Sequence, residues 1–168
     1  GSNGVVVSDT VITAGDGRRI DIIGRAGGEG FSAALDSGGG IVLTPDNNRV
    51  YGVDVSVQGQ SNALRASGGT VAIDGQGTDV SLRLTNFSDF ASASIGANAV
   101  PSTDALVSVA SDTGKGGSIS IKGRNVLVDG VTFSEGDPLI ARLDASGATG
   151  GGSIDIAATG SIALSSTA

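Results

Sequence analysis

The feature that most constrains this chain is a glycine-led turn that runs directly into an alternating apolar segment, and it occurs five times in 168 residues. The copies are GRRIDI at residues 17–22, GGGIVL at 38–43, GGTVAI at 68–73, GGSISI at 116–121 and GGSIDI at 151–156. A unit that recurs roughly every 20 to 50 residues is the signature of stacked repeats. We therefore expect successive coils of one solenoid.

Apolar residues alternate with polar or small ones through most of the chain, as in the runs Val53-x-Val55-x-Val57 and Val80-x-Leu82-x-Leu84. Period two is the period of a β-strand, and β-branched residues dominate these positions. The helical period of about 3.6 residues is hard to find anywhere. The sequence predicts an all-β protein.

A second similarity, rich in Ala, Leu and Ser, precedes the later glycine pairs at residues 32–37, 62–67, 104–111 and 141–146. Each repeat then consists of a glycine turn, a strand, a corner, one or two further strands and an Ala/Leu/Ser strand. The first apolar residues of the five glycine-led segments are unevenly spaced: Ile20, Ile41, Val71, Ile119 and Ile154. The spacing indicates loops of different length, the longest at residues 86–103.

This pattern predicts a parallel β-helix of about six coils as a single domain over residues 3–168. Gly1 and Ser2 resemble a cloning remnant. The alternative is a β-sandwich of short strands. Hairpin signals are weak along the chain, which favours the β-helix over the sandwich.

Composition excludes several classes of function. The net charge of -7, with only ten scattered Lys and Arg, argues against binding nucleic acid. The absence of histidine and cysteine excludes catalytic triads, thiolate nucleophiles and imidazole or thiolate metal ligands. Lys115 lies among glycines without P-loop spacing, and there is no GxSxG. We predict no enzyme, no cofactor, and no catalytic or metal-binding residues.

Paired carboxylates are the remaining catalytic alternative, since parallel β-helices also host polysaccharide lyases and glycosidases, which use two acidic groups. The candidates in or beside strands are Asp21, Asp74, Asp129, Asp144 and Asp155, with Arg83 or Arg142 as a nearby cation. One Tyr and four Phe are few for sugar-stacking platforms. We interpret these carboxylates as solvated surface groups.

Three further motifs have plain structural interpretations. The segment Gly75-x-Gly77-x-Asp79 matches part of a calcium-binding repeat, but such sites need tandem copies, so a turn is expected. The sequon Asn86-Phe87-Ser88 is interpreted as chance. Phe87 and Phe90 with Phe133 are expected to anchor loop packing rather than to form a contact patch.

Residues 116–168, GGSISIKGRNVLVDGVTFSEGDPLIARLDASGATGGGSIDIAATGSIALSSTA, resemble the repeats of filamentous-haemagglutinin-like exoproteins. These are large adhesins exported by two-partner secretion. The resemblance extends in part to residues 63–84 and carries no catalytic motif. It implies a right-handed β-helix in a secreted or cell-surface protein of a Gram-negative bacterium, with an outer-membrane transporter as the export partner.

The function expected from this resemblance is structural and adhesive. A rigid shaft presents the loops at residues 86–103 and 134–138 to a host, matrix or neighbouring-cell surface, through protein or glycan. Two alternatives stay open: a carbohydrate-active β-helix enzyme, and a self-assembling filament or surface-layer subunit that associates end to end through its open strand edges.

Overall fold

The computed structural model describes residues 2–8, 10–27, 31–35, 41–45, 50–58, 64–86, 106–132 and 143–167. Over these residues the protein is all-β, without a helix, as the period-two pattern predicts. None of them belongs to a helix that could cross a membrane. The strands are β1 (Val5–Ser8), β2 (Ile12–Ala14), β3 (Arg19–Ile23), β4 (Phe31–Leu35), β5 (Ile41–Pro45), β6 (Tyr51–Gln58), β7 (Leu64–Ala66), β8 (Thr70–Asp74), β9 (Asp79–Asn86), β10 (Val107–Ser108), β11 (Ser118–Gly123), β12 (Val126–Thr132), β13 (Leu143–Asp144), β14 (Ser153–Ala158) and β15 (Ile162–Thr167).

Most of these strands form three parallel sheets. Sheet A has the order β1-β6-β9-β12-β15, sheet B the order β2-β7-β10-β13, and sheet C the order β3-β8-β11-β14. The chain visits the sheets in rotation: β1, β2 and β3 belong to A, B and C, and the same sequence of sheets follows from β6, from β9 and from β12. Each inner strand of these sheets is therefore hydrogen-bonded to one strand of the repeat before it and to one strand of the repeat after it.

The register of sheet C confirms the stacking of four of the five glycine-led segments. Ile20 pairs with Val71, Val71 with Ile119, and Ile119 with Ile154. Sheet B confirms three of the four Ala/Leu/Ser segments, because Leu64 pairs with Val107 and Val107 with Leu143.

The remaining copy of each motif does not join the parallel sheets. β5, which contains the apolar residues of GGGIVL, pairs antiparallel with β4, so the expectation that residues 32–37 and 38–43 join the parallel stack is wrong. The two strands are separated only by residues 36–40, and a short connection favours antiparallel pairing, whereas a parallel pair needs a long crossover. Sheet B takes its first strand from β2 instead, where Ile12 pairs with Leu64.

The core consists of aliphatic residues that face inward from all three sheets. The alternating burial of β3, β7, β8 and β11 places every second residue inside. The largest of the completely buried side chains are Leu64, Ile73, Leu82, Leu106, Ile119 and Ile121. Since these side chains stack in register along the sheets, the core is a set of ladders that needs almost no aromatic residues.

A column of glycines lies just before the strands of sheet C and explains the glycine-led segments of the sequence. Gly69, Gly117 and Gly152 stand directly before β8, β11 and β14. A Cβ on each would overlap a backbone carbonyl of the preceding repeat: that of Arg18, Gly69 and Gly117, respectively. The first repeat carries Arg18 at this level, on β3, which is the outermost of the described strands of sheet C.

Hydrogen bonding draws these carbonyls close to the column. The N–H groups of Thr70, Ser118 and Ser153 donate to the same three carbonyls, at 2.9, 2.9 and 3.0 Å. Positive φ is a separate requirement, met at Gly17 and Gly68. The second glycine of each pair is therefore needed for space rather than for a left-handed backbone.

Candidate functional site

The outer face of sheet C carries a groove of about 330 Å³ across β3, β8 and β11. Its volume lies at the lower end of the range typical of small-molecule sites, roughly 300 to 1,000 Å³. Small outward-facing side chains on β8 and β11, such as Ala72 and Ser120, leave room beside the larger outward-facing side chains of β3. The polar groups along it include Arg19, Asp21, Thr70, Asp74, Ser120 and Lys122.

One end of the groove is an ion pair within β3. The Arg19 Nε–H donates to both carboxylate oxygens of Asp21, at 2.7 and 2.8 Å. This hydrogen bond lowers the pKa of the Asp21 carboxyl below its ordinary value. Asp21 therefore favours its ionised form and is suited to an anionic contact rather than to proton donation.

The other end of the groove places two opposite charges side by side. Lys122 and Asp74 are register partners on β11 and β8. Asp74 accepts a hydrogen bond at Oδ1 from the Gln76 backbone N–H at 2.7 Å. Within the described ranges Lys122 forms no ion pair, so its exposed ammonium is available to an anionic ligand group. At the opposite end, level with Arg19, the hydroxyls of Thr70 and Ser118 are hydrogen-bonded at 3.3 Å.

The outer face of sheet A carries a second polar group of residues. Arg83 on β9 is the register partner of Asp129 on β12, so two of the predicted candidates do lie side by side. Ser81 is completely buried although it points away from the core. Three buried atoms have no hydrogen-bond partner among the described residues: Asp54 Oδ1, Ser81 Oγ and Arg83 Nε.

Sequence reasoning missed Asp54 and Ser81. Both occupy outward positions in strongly alternating strands, β6 and β9, and they are register partners. Alternation predicts exposure there, whereas Ser81 is buried.

Residues 75–79 form a turn, as the sequence predicts. Gln76 and Gly77 have positive φ, and Thr78 N–H donates to the Gly75 carbonyl at 2.9 Å. Asp79 is buried at the end of this turn and accepts hydrogen bonds from Arg124 Nε at 2.8 Å and Asn125 Nδ2 at 2.9 Å. Over the part of the chain that the structure describes, no three metal-ligating side chains cluster.

Two opposing effects set the pKa of Asp79. Burial raises it, but hydrogen bonds from Arg124 and Asn125, with the Arg124 charge, outweigh burial and lower the pKa of the carboxyl. Asn125 Oδ1 in turn accepts from the backbone N–H and the hydroxyl of Ser161, both at 2.9 Å. The corner between sheets C and A thus ties three successive repeats together.

The other predicted candidates are dispersed. Asp155 is exposed on β14, where it pairs in register with Ser120. Asp144 lies in sheet B and accepts a hydrogen bond from the Ser146 N–H at 2.9 Å. Lys115 is exposed and forms an isolated bridge with Gly150. Of the five predicted carboxylates, the groove brings together Asp21 and Asp74.

Several predicted features lie outside the described residues. They are Phe87, Ser88, Phe90, Phe133, Arg142, the loop at 134–138, and the loop at 86–103 apart from Asn86, which ends β9.

Comparison of the chain with protein-family models, with curated proteins and with solved structures finds no match.

Proposed function

We propose that this chain is a segment of a secreted bacterial cell-surface exoprotein, in which a right-handed parallel β-helix serves as a rigid shaft and presents loops for binding. The observation that carries the proposal is the rotation of the chain through three in-register parallel sheets. An antiparallel sandwich, the alternative fold, would pair most of its strands antiparallel. The described residues contain one antiparallel pair, β4 with β5.

Rigidity follows from the hydrogen bonding of such a shaft. Every repeat is bonded to the next through the sheets and also at the corners, as from Ser118 N–H to the Gly69 carbonyl and from Ser161 N–H to Asn125 Oδ1. Bending the shaft would break bonds in all three sheets together. A stack of this kind suits a protein that must hold a binding surface away from a cell.

The long connections are the proposed recognition elements. Residues 87–106 connect β9 to β10 and residues 133–142 connect β12 to β13, whereas residues 9–11 suffice between β1 and β2. Both long connections leave sheet A at the register partners Asn86 and Thr132 and reach sheet B at the partners Val107 and Leu143. They therefore begin and end side by side, so that a host, matrix or neighbouring-cell surface would meet them together.

Surface binding is the direct test. The protein is applied to immobilised matrix proteins, glycans and cultured cells, beside one variant with residues 88–103 and another with residues 134–141 replaced by Gly/Ser linkers. We expect the intact protein to bind at least one surface and each loop variant to lose that binding, with an unchanged urea midpoint. Asp16→Ala, in an exposed turn far along the chain from both loops and outside the groove, serves as the matched control and should bind normally.

Failure of the intact protein to bind any of these surfaces, or full binding by both loop variants, would contradict the adhesive function. Export is tested separately. Expressed with an outer-membrane transporter of the two-partner type and that system's secretion domain, the segment should reach the surface of a Gram-negative cell. Retention inside the cell would count against a secreted shaft.

A second candidate function is cleavage of a polysaccharide, favoured by the shared groove of Asp21 and Asp74. Their Cα atoms lie diagonally on adjacent strands, roughly 8 Å apart from strand spacing and rise. That is close to the span of about 6.5 to 9.5 Å between the carboxyl groups of inverting glycosidases. Reducing ends released from neutral or uronate polysaccharides, and abolished in both Asp21→Asn and Asp74→Asn, would replace the purely structural function with this one.

A further inference from the structure

The groove on the outer face of sheet C is a depression around one small side chain, Ala72. Ala72 lies on β8, the middle of the three strands that line the groove, and its register partners are Asp21 on β3 and Ser120 on β11. Thr70 and Asp74 lie two residues before and after it on the same face of β8. The register partners are about 4.8 Å away by strand spacing, and the other two about 6.6 Å away by the rise along a strand. A methyl group ringed by larger side chains leaves the space of about 330 Å³.

The cations of this groove differ in what they can still bind. Arg19 donates its Nε–H to Asp21. Lys122, at the corner diagonal to Ala72, forms no ion pair with any described residue. An ammonium is a compact charge with three donors, so it binds a carboxylate without requiring a two-pronged geometry. A negative group of a ligand is therefore expected at Lys122.

The carboxylates of the groove require hydrogen-bond donors from a ligand. An ionised carboxylate only accepts hydrogen bonds, and Asp21 favours that form. Asp74 uses Oδ1 for the backbone N–H of Gln76, and no described residue donates to its Oδ2. A ligand that fits must therefore bring donors to two carboxylates and a negative group to one ammonium.

The same groove also offers an apolar contact. Ile23 is 55% exposed at the corner between Asp21 and Asp74, diagonal to Ala72. The methyl groups of Ile23 and Ala72 suit the C–H face of a sugar ring, whose hydroxyls project from its edge. Apolar contact with a few placed polar groups is the usual composition of a small-molecule site.

We propose that this groove binds an acidic saccharide, in which a sugar unit carries a carboxylate beside its hydroxyls, as a uronate does. The carboxylate lies at Lys122, hydroxyls donate to Asp21 and Asp74, and the C–H face lies on Ala72 and Ile23. A neutral sugar leaves Lys122 without a counter-charge, and a simple inorganic anion leaves both carboxylates without donors. This site is separate from the loops of the adhesive function, and it does not depend on cleavage, since the saccharide is bound and left intact.

The first experiment follows the backbone amide signals of the isotope-labelled protein by NMR while short oligomers of galacturonate, glucuronate and mannuronate are added. The methyl ester of each oligomer is the ligand control, because it keeps the hydroxyls and loses the charge. With at least one oligomer we expect saturable shifts in β3, β8 and β11 at millimolar concentrations. The acid should bind about two- to fivefold more tightly than its ester, as expected of an exposed ion pair. Absence of shifts, shifts confined to other strands, or equal affinity for acid and ester would overturn the proposal.

Two variants test the named contacts. Lys122→Gln removes the charge and should lower the affinity for the acid to that for the ester. Ala72→Leu fills the depression without changing a polar group, and it should weaken binding of both ligands by more than about tenfold. The matched control is Ala163→Leu, the same change at an exposed outward position of β15 in sheet A, and it should bind both ligands as the unmodified chain does.

Undiminished binding by Ala72→Leu, a preference for the acid that survives Lys122→Gln, or loss of binding in Ala163→Leu would each contradict the site. Amide spectra and urea midpoints of the variants keep a folding defect from being mistaken for loss of the groove. The variants with replaced loops at residues 88–103 and 134–141 should bind the saccharide normally. Failure of the groove and failure of the loop-based adhesive function are therefore observed separately.

Discussion

Replacing Gly117 by alanine tests whether the repeated glycine is needed for space. The added Cβ would overlap the carbonyl oxygen of Gly69 and lie 2.8 Å from its backbone nitrogen. Relief requires Gly117 to move away from the preceding repeat, to which Ser118 N–H bonds at the Gly69 carbonyl at 2.9 Å. The same movement disturbs the bond on the other side of Gly117, from Ser153 N–H of the following repeat to the Gly117 carbonyl at 3.0 Å. Two backbone hydrogen bonds contribute about 2 kcal/mol, and overpacking costs about 1 to 3 kcal/mol, so we expect a loss of about 3 to 5 kcal/mol.

The assay is urea unfolding followed by circular dichroism, with Gly151→Ala as the matched control. Gly151 belongs to an equivalent glycine pair, but a Cβ there would meet no atom within 4 Å. Both variants gain the same rigidity in the unfolded chain, so the difference between them isolates the clash. A lower midpoint for Gly117→Ala with an unchanged slope is expected. Midpoints that agree within about 1 kcal/mol of unfolding free energy would refute the close-approach argument.

Two further predictions concern the interior. Asp79→Asn should lower the free energy of unfolding by about 1 to 3 kcal/mol at neutral pH, because it removes the charge that accepts from Arg124 and Asn125. The folded pKa of Asp79 lies below its unfolded value, so this stabilisation is present above about pH 4 and is lost as the pH falls through the folded pKa. The urea midpoints of the unmodified protein and of Asp79→Asn should therefore converge in acid. A difference between the midpoints that stays constant with pH would contradict the assignment. Leu82→Ala, at a completely buried position of the middle strand of sheet A, should lower the free energy of unfolding by about 2 to 5 kcal/mol. Val6→Ala, on the exposed outer face, should lower it by under about 1 kcal/mol. Similar losses of unfolding free energy in the two variants would mean that the core is not where the structure places it.

Local pattern was enough to predict much of the fold. The alternation of apolar residues predicts strands because side chains of a strand point to opposite faces in turn. The glycine-led segments predicted the alignment of Ile20, Val71, Ile119 and Ile154, since equivalent residues of stacked repeats share an environment. The same reasoning failed for β4 and β5, because alternation is identical in parallel and antiparallel strands and says nothing about the partner.

The candidate sites were less predictable. The sequence identified Asp21 and Asp74 as two of five equivalent carboxylates, and the register then brought these two to one groove. Ser81 and Asp54 were missed because an outward residue is expected to be solvated. Burial on an outward face depends on what lies across it, which no local pattern records.

The sequence by itself determined that this chain forms short aliphatic strands in repeats that begin at glycine-led turns. That information is local, since it depends on side-chain period and on the volume of a single residue. The tertiary structure alone decided which strands are neighbours and which segment turns back on itself. Those outcomes depend on contacts between residues about 50 positions apart, as between Ile20 and Val71, and they arise only when whole repeats pack.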